Sequence, residues 1–131
     1  MLLDTSGLLC FLNRSDALHE RAVALFKAAP VRLTHSYVLA ELVPLCDVRG
    51  VERGHALAFA ATIIDNRDAE VIWVEKPLHR AAVDFLRSRP DKGYSLCDAV
   101  SFILMRRRHI TDALTTDRHF EREGFVRLLK P

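Results

Sequence analysis

Met1-Leu2-Leu3-Asp4-Thr5-Ser6-Gly7-Leu8-Leu9-Cys10-Phe11-Leu12 opens the chain with an apolar run that halts at an acid and resumes with helical character. The spacing predicts a strand over about Leu2 to Asp4 and a short helix over Gly7 to Leu12, a strand-to-helix step with a carboxylate at the joint. Further along, short apolar runs again alternate with helix-period segments. That alternation is the signature of a parallel sheet covered by helices. The fold class that follows is α/β, a three-layer α/β/α arrangement around a central parallel sheet of four to five strands.

After an Asn13-Arg-Ser-Asp16 break, a helix is predicted from about Asp16 to Ala29, with Ala22, Leu25, Phe26 and Ala29 on one stripe and Pro30 as its stop. Val31 to Thr34 reads as the second strand. Val38, Leu42, Leu45 and Cys46 share a face of a helix from Ser36 to about Val48, and Pro44 inside it predicts a kink or break one turn earlier. Gly50 ends that segment, and another helix spans roughly Glu52 to Asn66. Val71-Ile72-Trp73-Val74 is the clearest strand, short, apolar and β-branched. Pro77 suits the first turn of a helix running to about Arg87. A loop over Ser88 to Gly93 leads to a helix from Ser95 to about Arg108, with Leu96, Ala99, Val100, Ile103 and Leu104 at core spacing. Ala113 to Thr116 and Val126 to Leu129 complete the strands, around a short helix of about Arg118 to Glu123.

The 131 residues fit one domain, read as 1–131, with half the residues hydrophobic and five prolines, a balance that argues against disorder. A net charge of +2 does not by itself establish nucleic-acid binding. The cations are mostly arginine, the side chain best shaped to grip phosphate. Cys10, Cys46 and Cys97 are odd in number and lack zinc-ligand spacing, so they read as reduced thiols. No signal-peptide pattern opens the chain. Apolar stretches such as Ala56 to Ala61 fall short of the ~20 residues a membrane span requires. A cytoplasmic protein is expected.

Four acids carry the chemical signal: Asp4, Glu41, Asp98 and Asp117. Each has a plain structural reading beside the functional one. Asp4 and Asp117 close strands and would serve as helix N-caps. Ser95-Leu-Cys-Asp98 has the form of a capping box, with the acid reaching back to the cap N–H. Glu41 lies three residues after Val38 and four before Leu45, on or beside an apolar stripe, where a buried unpaired carboxylate costs several kcal/mol or takes up a proton. The four together say more than each alone. In an open parallel sheet the strand C-termini and the helix N-termini that follow share one edge, and ligands bind there at the topological switch point. Two unit charges about 4 Å apart repel by roughly 4 kcal/mol at an effective dielectric near 20. Gathering four acids therefore calls for protons or a hard cation, and Mg²⁺ or Mn²⁺ suits oxygen ligands.

At these residues the chain resembles the PIN-domain family, and within it the small VapC-type toxins of bacterial and archaeal toxin–antitoxin modules. Leu2-Leu-Asp4-Thr-Ser6 is similar to that family's first motif, and Thr34-His-Ser36 through Glu41 to its second. Tyr94-Ser-Leu-Cys-Asp98-Ala resembles the third, and Leu114-Thr-Thr-Asp117-Arg-His-Phe120 the fourth. The resemblance runs from about residue 1 to 129 in the family's order. It implies that Asp4, Glu41, Asp98 and Asp117 hold one or two Mg²⁺ or Mn²⁺ ions, with the hydroxyls of Ser6 and Thr116 orienting ligands or water. It further implies an endoribonuclease that hydrolyses RNA phosphodiesters to 5′-phosphate and 3′-hydroxyl ends, a homodimer, and a cognate antitoxin offering Arg or Lys to the carboxylates. Gly7 stands where Ala is commoner, which predicts a looser helix start. His119 stands where some relatives carry a further acid, which bears on a second ion.

Arg14, Arg89, Lys92 and Arg118 flank the predicted rim and are candidates to contact RNA. Arg106-Arg107-Arg108 is read either as tracking an RNA backbone or as complementing a helix C-terminus. Trp73 is predicted to be core, and His35 and His119 are site neighbours. A phospho-receiver domain fits poorly, because no phospho-acceptor Asp ends Val71 to Val74 and the Lys76-Pro77 step follows a middle strand, not the last. A non-toxin PIN ribonuclease, or a catalytically silent RNA-binding PIN domain, is the alternative; the silent form would be expected to have lost acids, and all four are present.

Overall fold

The computed structural model describes residues 1–131. Five strands form one sheet: β1 (Leu2–Leu3), β2 (Leu33–His35), β3 (Glu70–Ile72), β4 (Asp112–Leu114) and β5 (Val126–Arg127). Their order is β3-β2-β1-β4-β5 and every pairing is parallel. Seven helices flank it: α1 (Thr5–Leu12), α2 (His19–Ala28), α3 (Ser36–Val48), α4 (Arg53–Ile63), α5 (Lys76–Arg87), α6 (Leu96–Arg108) and α7 (His119–Arg122). This is the predicted three-layer α/β/α class.

Side-chain alternation along the strands explains the layers. Leu3 and Leu114 point into one core with Leu8, Val38, Leu42 and Cys46, while their neighbours Leu2 and Ala113 point into the other with Leu33, Val100, Phe102 and Phe120. A parallel sheet buried on both faces needs apolar residues at consecutive positions. Leu2-Leu3 and Ala113-Leu114 supply them, and all four are fully buried.

β1 is central, with β2 on one side and β4 on the other. The chain turns in opposite directions from β1, so the crevice beyond its C-terminal end is the switch point of the sheet. Gly7 lets α1 seat there. A Cβ at this position would stand 1.8 Å from the Leu114 carbonyl oxygen. The glycine therefore does not loosen the helix start; it permits close approach of α1 to the end of β4.

Two other expectations are revised. β3 is an edge strand that ends at Ile72, which leaves Trp73 59% exposed rather than core. Pro44 interrupts no element, and α3 runs continuously from Ser36 to Val48. Pro44 and Ala40 are both exposed, so the Ala40 carbonyl that the proline leaves without an N–H is open to donors from solvent. No helix is long and apolar enough to cross a membrane.

Candidate metal centre

Register brings the first and fourth motifs together. Leu3 pairs with Leu114, so Asp4 and Thr115 leave adjacent strands side by side. Asp4 has extended backbone at the N-cap of α1 and is buried, yet its side chain makes no cap hydrogen bond. Instead its Oδ2 accepts from the Thr115 hydroxyl at 2.7 Å and the Ser6 hydroxyl at 3.2 Å. The Asp117 backbone N–H donates to Thr115 Oγ1 at 3.0 Å, and the Thr116 N–H donates to Ser6 Oγ at 3.0 Å. Two hydroxyls thus fasten the end of β4 to the start of α1, with Asp4 between. Of the two hydroxyls named from the sequence, Ser6 bonds Asp4 directly, while Thr116 joins through its backbone N–H; the second hydroxyl on Asp4 is that of Thr115.

Asp98 enters from the first turn of α6. Ser95 Oγ accepts the Asp98 N–H at 3.0 Å, and Asp98 Oδ2 accepts the Ser95 N–H at 3.1 Å, a complete capping box. The cap fixes the rotamer of a carboxylate that also faces the crevice. There it meets His119, whose Nδ1 lies 3.1 Å from Asp98 Oδ2 and 3.4 Å from Asp117 Oδ2. Asp117 Oδ1 also accepts the His119 backbone N–H at 2.9 Å. Ligand-type atoms of Asp98, Asp117 and His119 all lie within 4.8 Å of one another.

Asp4 and Glu41 lie outside this triad, Asp4 against Thr115 and Ser6 and Glu41 against Thr5. Burial, in the first place, and the negative charge of Asp98 raise the Asp4 carboxyl to about 7, against the opposing hydrogen bonds from Thr115, Thr5 and Ser6. The Cys97 thiol is pushed well above its ordinary value by burial and then by Glu41, Asp4 and Asp98, so three acids bear on one small side chain. Glu41 differs from its sequence reading. It is exposed, not buried, and its Oε2 accepts from the Thr5 hydroxyl at 3.3 Å. Its place at the edge of the α3 stripe leaves the carboxylate solvated, so the desolvation cost assigned to it does not arise.

The donor set suits a hard divalent cation. Carboxylate oxygens dominate, and one imidazole nitrogen is compatible with Mn²⁺ as well as Mg²⁺. The buried Asp4 carboxyl, held near neutrality, is a group whose charged form a nearby cation would favour.

The cations predicted to track RNA divide. Arg14 and Arg118 are exposed, and Arg14 stands near His55 at the start of α4. Lys92 pairs with its neighbour Asp91 at 3.8 Å. Arg89 points inward, with its Nε 3.2 Å from Glu123 Oε2 and its guanidinium over the Phe85 ring. Arg106 also pairs with Glu123 at 3.0 Å, and Arg108 with Glu70 at 2.9 Å, so two of the three consecutive arginines are held in ion pairs. His35 is wholly buried against Ser101, with Nε2 and Oγ 2.8 Å apart, and is a core residue.

Comparison with known proteins gives a consistent result. A family model for the PIN domain matches residues 1–126. The 23S rRNA-specific endonuclease VapC20 of Mycobacterium tuberculosis, in both the CDC 1551 and H37Rv strains, is 35% identical over 130 residues. The match covers 96% of this chain and 95% of that protein. The crystal structure of VapC20, described as a sarcin–ricin-loop-cleaving toxin, superposes with a TM-score of 0.86 at 34% identity. That superposition covers 99% of this chain and 98% of the other.

Proposed function

Because the chain belongs to the PIN-domain family, we propose that it is a divalent-metal-dependent endoribonuclease, the toxin of a type II toxin–antitoxin module, acting on structured ribosomal RNA. The observation that carries this reading is the meeting of Asp98, Asp117 and His119 within 4.8 Å, with Asp4 held alongside by Thr115 and Ser6. In this reading residues 1–131 are one catalytic domain. Asp4, Asp98, Asp117 and Glu41 hold Mg²⁺ or Mn²⁺, and Ser6 and Thr115 orient Asp4. When bound, the ion lowers the pKa of a coordinated water and polarises a phosphate oxygen.

The chain's own residues supply position and charge. Capping fixes Asp98, the hydroxyl pair fixes Asp4, and the backbone of His119 fixes Asp117. Glu41, exposed and tethered by Thr5, is the acid with freedom to swing toward substrate or ion. Arg14, Lys92 and Arg118 are exposed and are the cations in this reading that engage RNA phosphates. The name of VapC20 suggests the sarcin–ricin loop of 23S rRNA as the substrate. A cytoplasmic location, a homodimer, and an antitoxin segment placing Arg or Lys over the acids belong to the same proposal.

The test is cleavage of a panel of structured RNAs, including a sarcin–ricin-loop hairpin, by wild type and Asp98→Asn. Cutting within the loop that needs Mg²⁺ or Mn²⁺ and drops at least about 100-fold in the variant is expected, because one of the acids facing the ion is lost. Equal activity in EDTA, or an unimpaired Asp98→Asn, removes the metallonuclease reading. Tight hairpin binding without cleavage in either metal would leave the silent RNA-binding alternative. For the toxin role, expression should arrest growth and co-expression of a small protein encoded next to it should restore growth.

A further inference from the structure

We propose that Tyr94 and Glu123 are positioning residues which press the His119 imidazole against Asp98 and Asp117, making it a nitrogen ligand of the cation site. The proposal rests on the metallonuclease reading above and extends it to residues outside the four acids.

His119 opens α7, a helix of only four residues near the molecular surface. The anchor of α7 in the core is one side chain, the buried Phe120, which leaves the neighbouring His119 ring to be fixed by other walls. The ring is confined on two sides. On one side Nδ1 faces Asp98 and Asp117 at 3.1 and 3.4 Å. On the other the Tyr94 ring meets it edge-on, with centroids 5.0 Å apart and planes at 65°. Tyr94 is itself buried, packed against Phe102 and Phe85.

Tyr94 is locked in turn. Its hydroxyl donates to Glu123 Oε2 at 2.9 Å. The Glu123 side chain is only 5% exposed, a costly place for a carboxylate without partners. It has two more. Arg89 Nε donates to Oε2 at 3.2 Å, and Arg106 Nη2 donates to both Oε1 and the backbone carbonyl of Glu123 at 3.0 Å. Burial works to raise the Glu123 pKa, but the hydrogen bonds from Arg89, Arg106 and Tyr94 outweigh it and keep the group below its usual range. Loop 88–94, α6 and the C-terminal end of α7 are thereby joined at one carboxylate. His119 is held from behind by Tyr94 and, through the length of α7, by Glu123.

Supporting residues of this kind orient the ligands they touch, and their loss typically costs 10- to 100-fold in metal affinity. A nitrogen donor also has a chemical consequence. Mg²⁺ is served by oxygen and keeps several waters, whereas Mn²⁺ accepts imidazole more readily. The site is therefore expected to favour Mn²⁺ over Mg²⁺ by more than an all-carboxylate set would.

The experiment measures Mn²⁺ and Mg²⁺ binding to the full chain by calorimetry, with pulsed EPR on bound Mn²⁺ to detect ¹⁴N coupling. Wild type, His119→Asp, Glu123→Gln and Tyr94→Phe are compared, and unfolding midpoints report whether each variant is folded. Expected are a ¹⁴N coupling in wild type, its absence in His119→Asp with a narrowed Mn²⁺/Mg²⁺ affinity ratio, and at least a roughly tenfold weaker Mn²⁺ affinity with diminished coupling in the other two. Should Glu123→Gln fail to fold, Tyr94→Phe decides, since it keeps the ring and removes only its tether. Mn²⁺ bound by wild type without ¹⁴N coupling overturns the proposal and leaves the nuclease reading intact. Folded Glu123→Gln or Tyr94→Phe with unchanged affinity and coupling overturns the positioning role. No Mn²⁺ binding by wild type overturns both readings.

Discussion

His35 shows how far a single residue near a motif can differ in role from its neighbours. Its ring is wholly buried, Nε2 faces Ser101 Oγ, and Nδ1 has no hydrogen-bond partner. Burial lowers its pKa from 6.5 to about 4. Between those values the unfolded chain carries a proton that the folded chain does not. Stability from this group is thus complete above about pH 6.5 and declines as pH falls toward 4. The decline from pH 7 to 4.5 should be roughly 2–3 kcal/mol. Urea unfolding of wild type and His35→Gln at both pH values isolates it: wild type should lose that much more than the variant. Parallel losses would mean that His35 is protonated in the fold. The strand ends and helix starts that carry Asp4, Asp98 and Asp117 are legible in the sequence; the Thr115 hydroxyl on Asp4 is not, because the pairing of Leu3 with Leu114 sets it. Along a strand end successive side chains point opposite ways, so the hydroxyl of Thr115 meets Asp4 while Thr116 joins through its backbone N–H. The ion pair of Arg89 is hidden from the sequence for another reason: its partner Glu123 lies 34 residues away, beyond any local pattern.

At the scale of elements, the types were legible throughout and the ends were not. The strand read as Val71–Val74 is Glu70–Ile72, and the helix read as Asp16–Ala29 is His19–Ala28. Propensity does not see the edge of the sheet, which is where Trp73 leaves the ladder. The capping box of α6 was readable because its two partners are three residues apart. The seat of α1 on β4 was not, since it depends on a contact between Gly7 and Leu114. A methyl group there would collide with backbone rather than with a side chain able to rotate away. Overpacking typically costs about 1–3 kcal/mol, and Gly7→Ala should lie at the top of that range or beyond. Because Ser6 and Asp4 move with the helix start, RNA cleavage should fall along with the urea midpoint. A loss of stability under about 0.5 kcal/mol, the range of neutral surface changes, would show that α1 sits further from β4 than the close approach described.

Across the whole molecule, the sheet holds like charges together at its switch point, and the fold tolerates this rather than benefits from it. Burial first, and then the charge of Asp98, raise the Asp4 carboxyl to about 7, so the charged form of Asp4 is disfavoured where it stands. Sites of this kind commonly exchange stability for activity. Two linked outcomes follow for Asp98→Asn. Without metal the variant should unfold no earlier than wild type, because a like-charge repulsion is removed while the amide oxygen still accepts the Ser95 N–H and the box survives. With Mn²⁺ at about 100 times its dissociation constant, wild type should gain about 2.7 kcal/mol, a rise of several degrees in Tm, and the variant should gain little. Thermal unfolding of both proteins with and without Mn²⁺ checks this in one experiment. Equal stabilisation of the two would place the ion elsewhere on the molecule. An Asp98→Asn chain that melts earlier without metal would show that this carboxylate serves the fold first, with the cap of α6 as its main work.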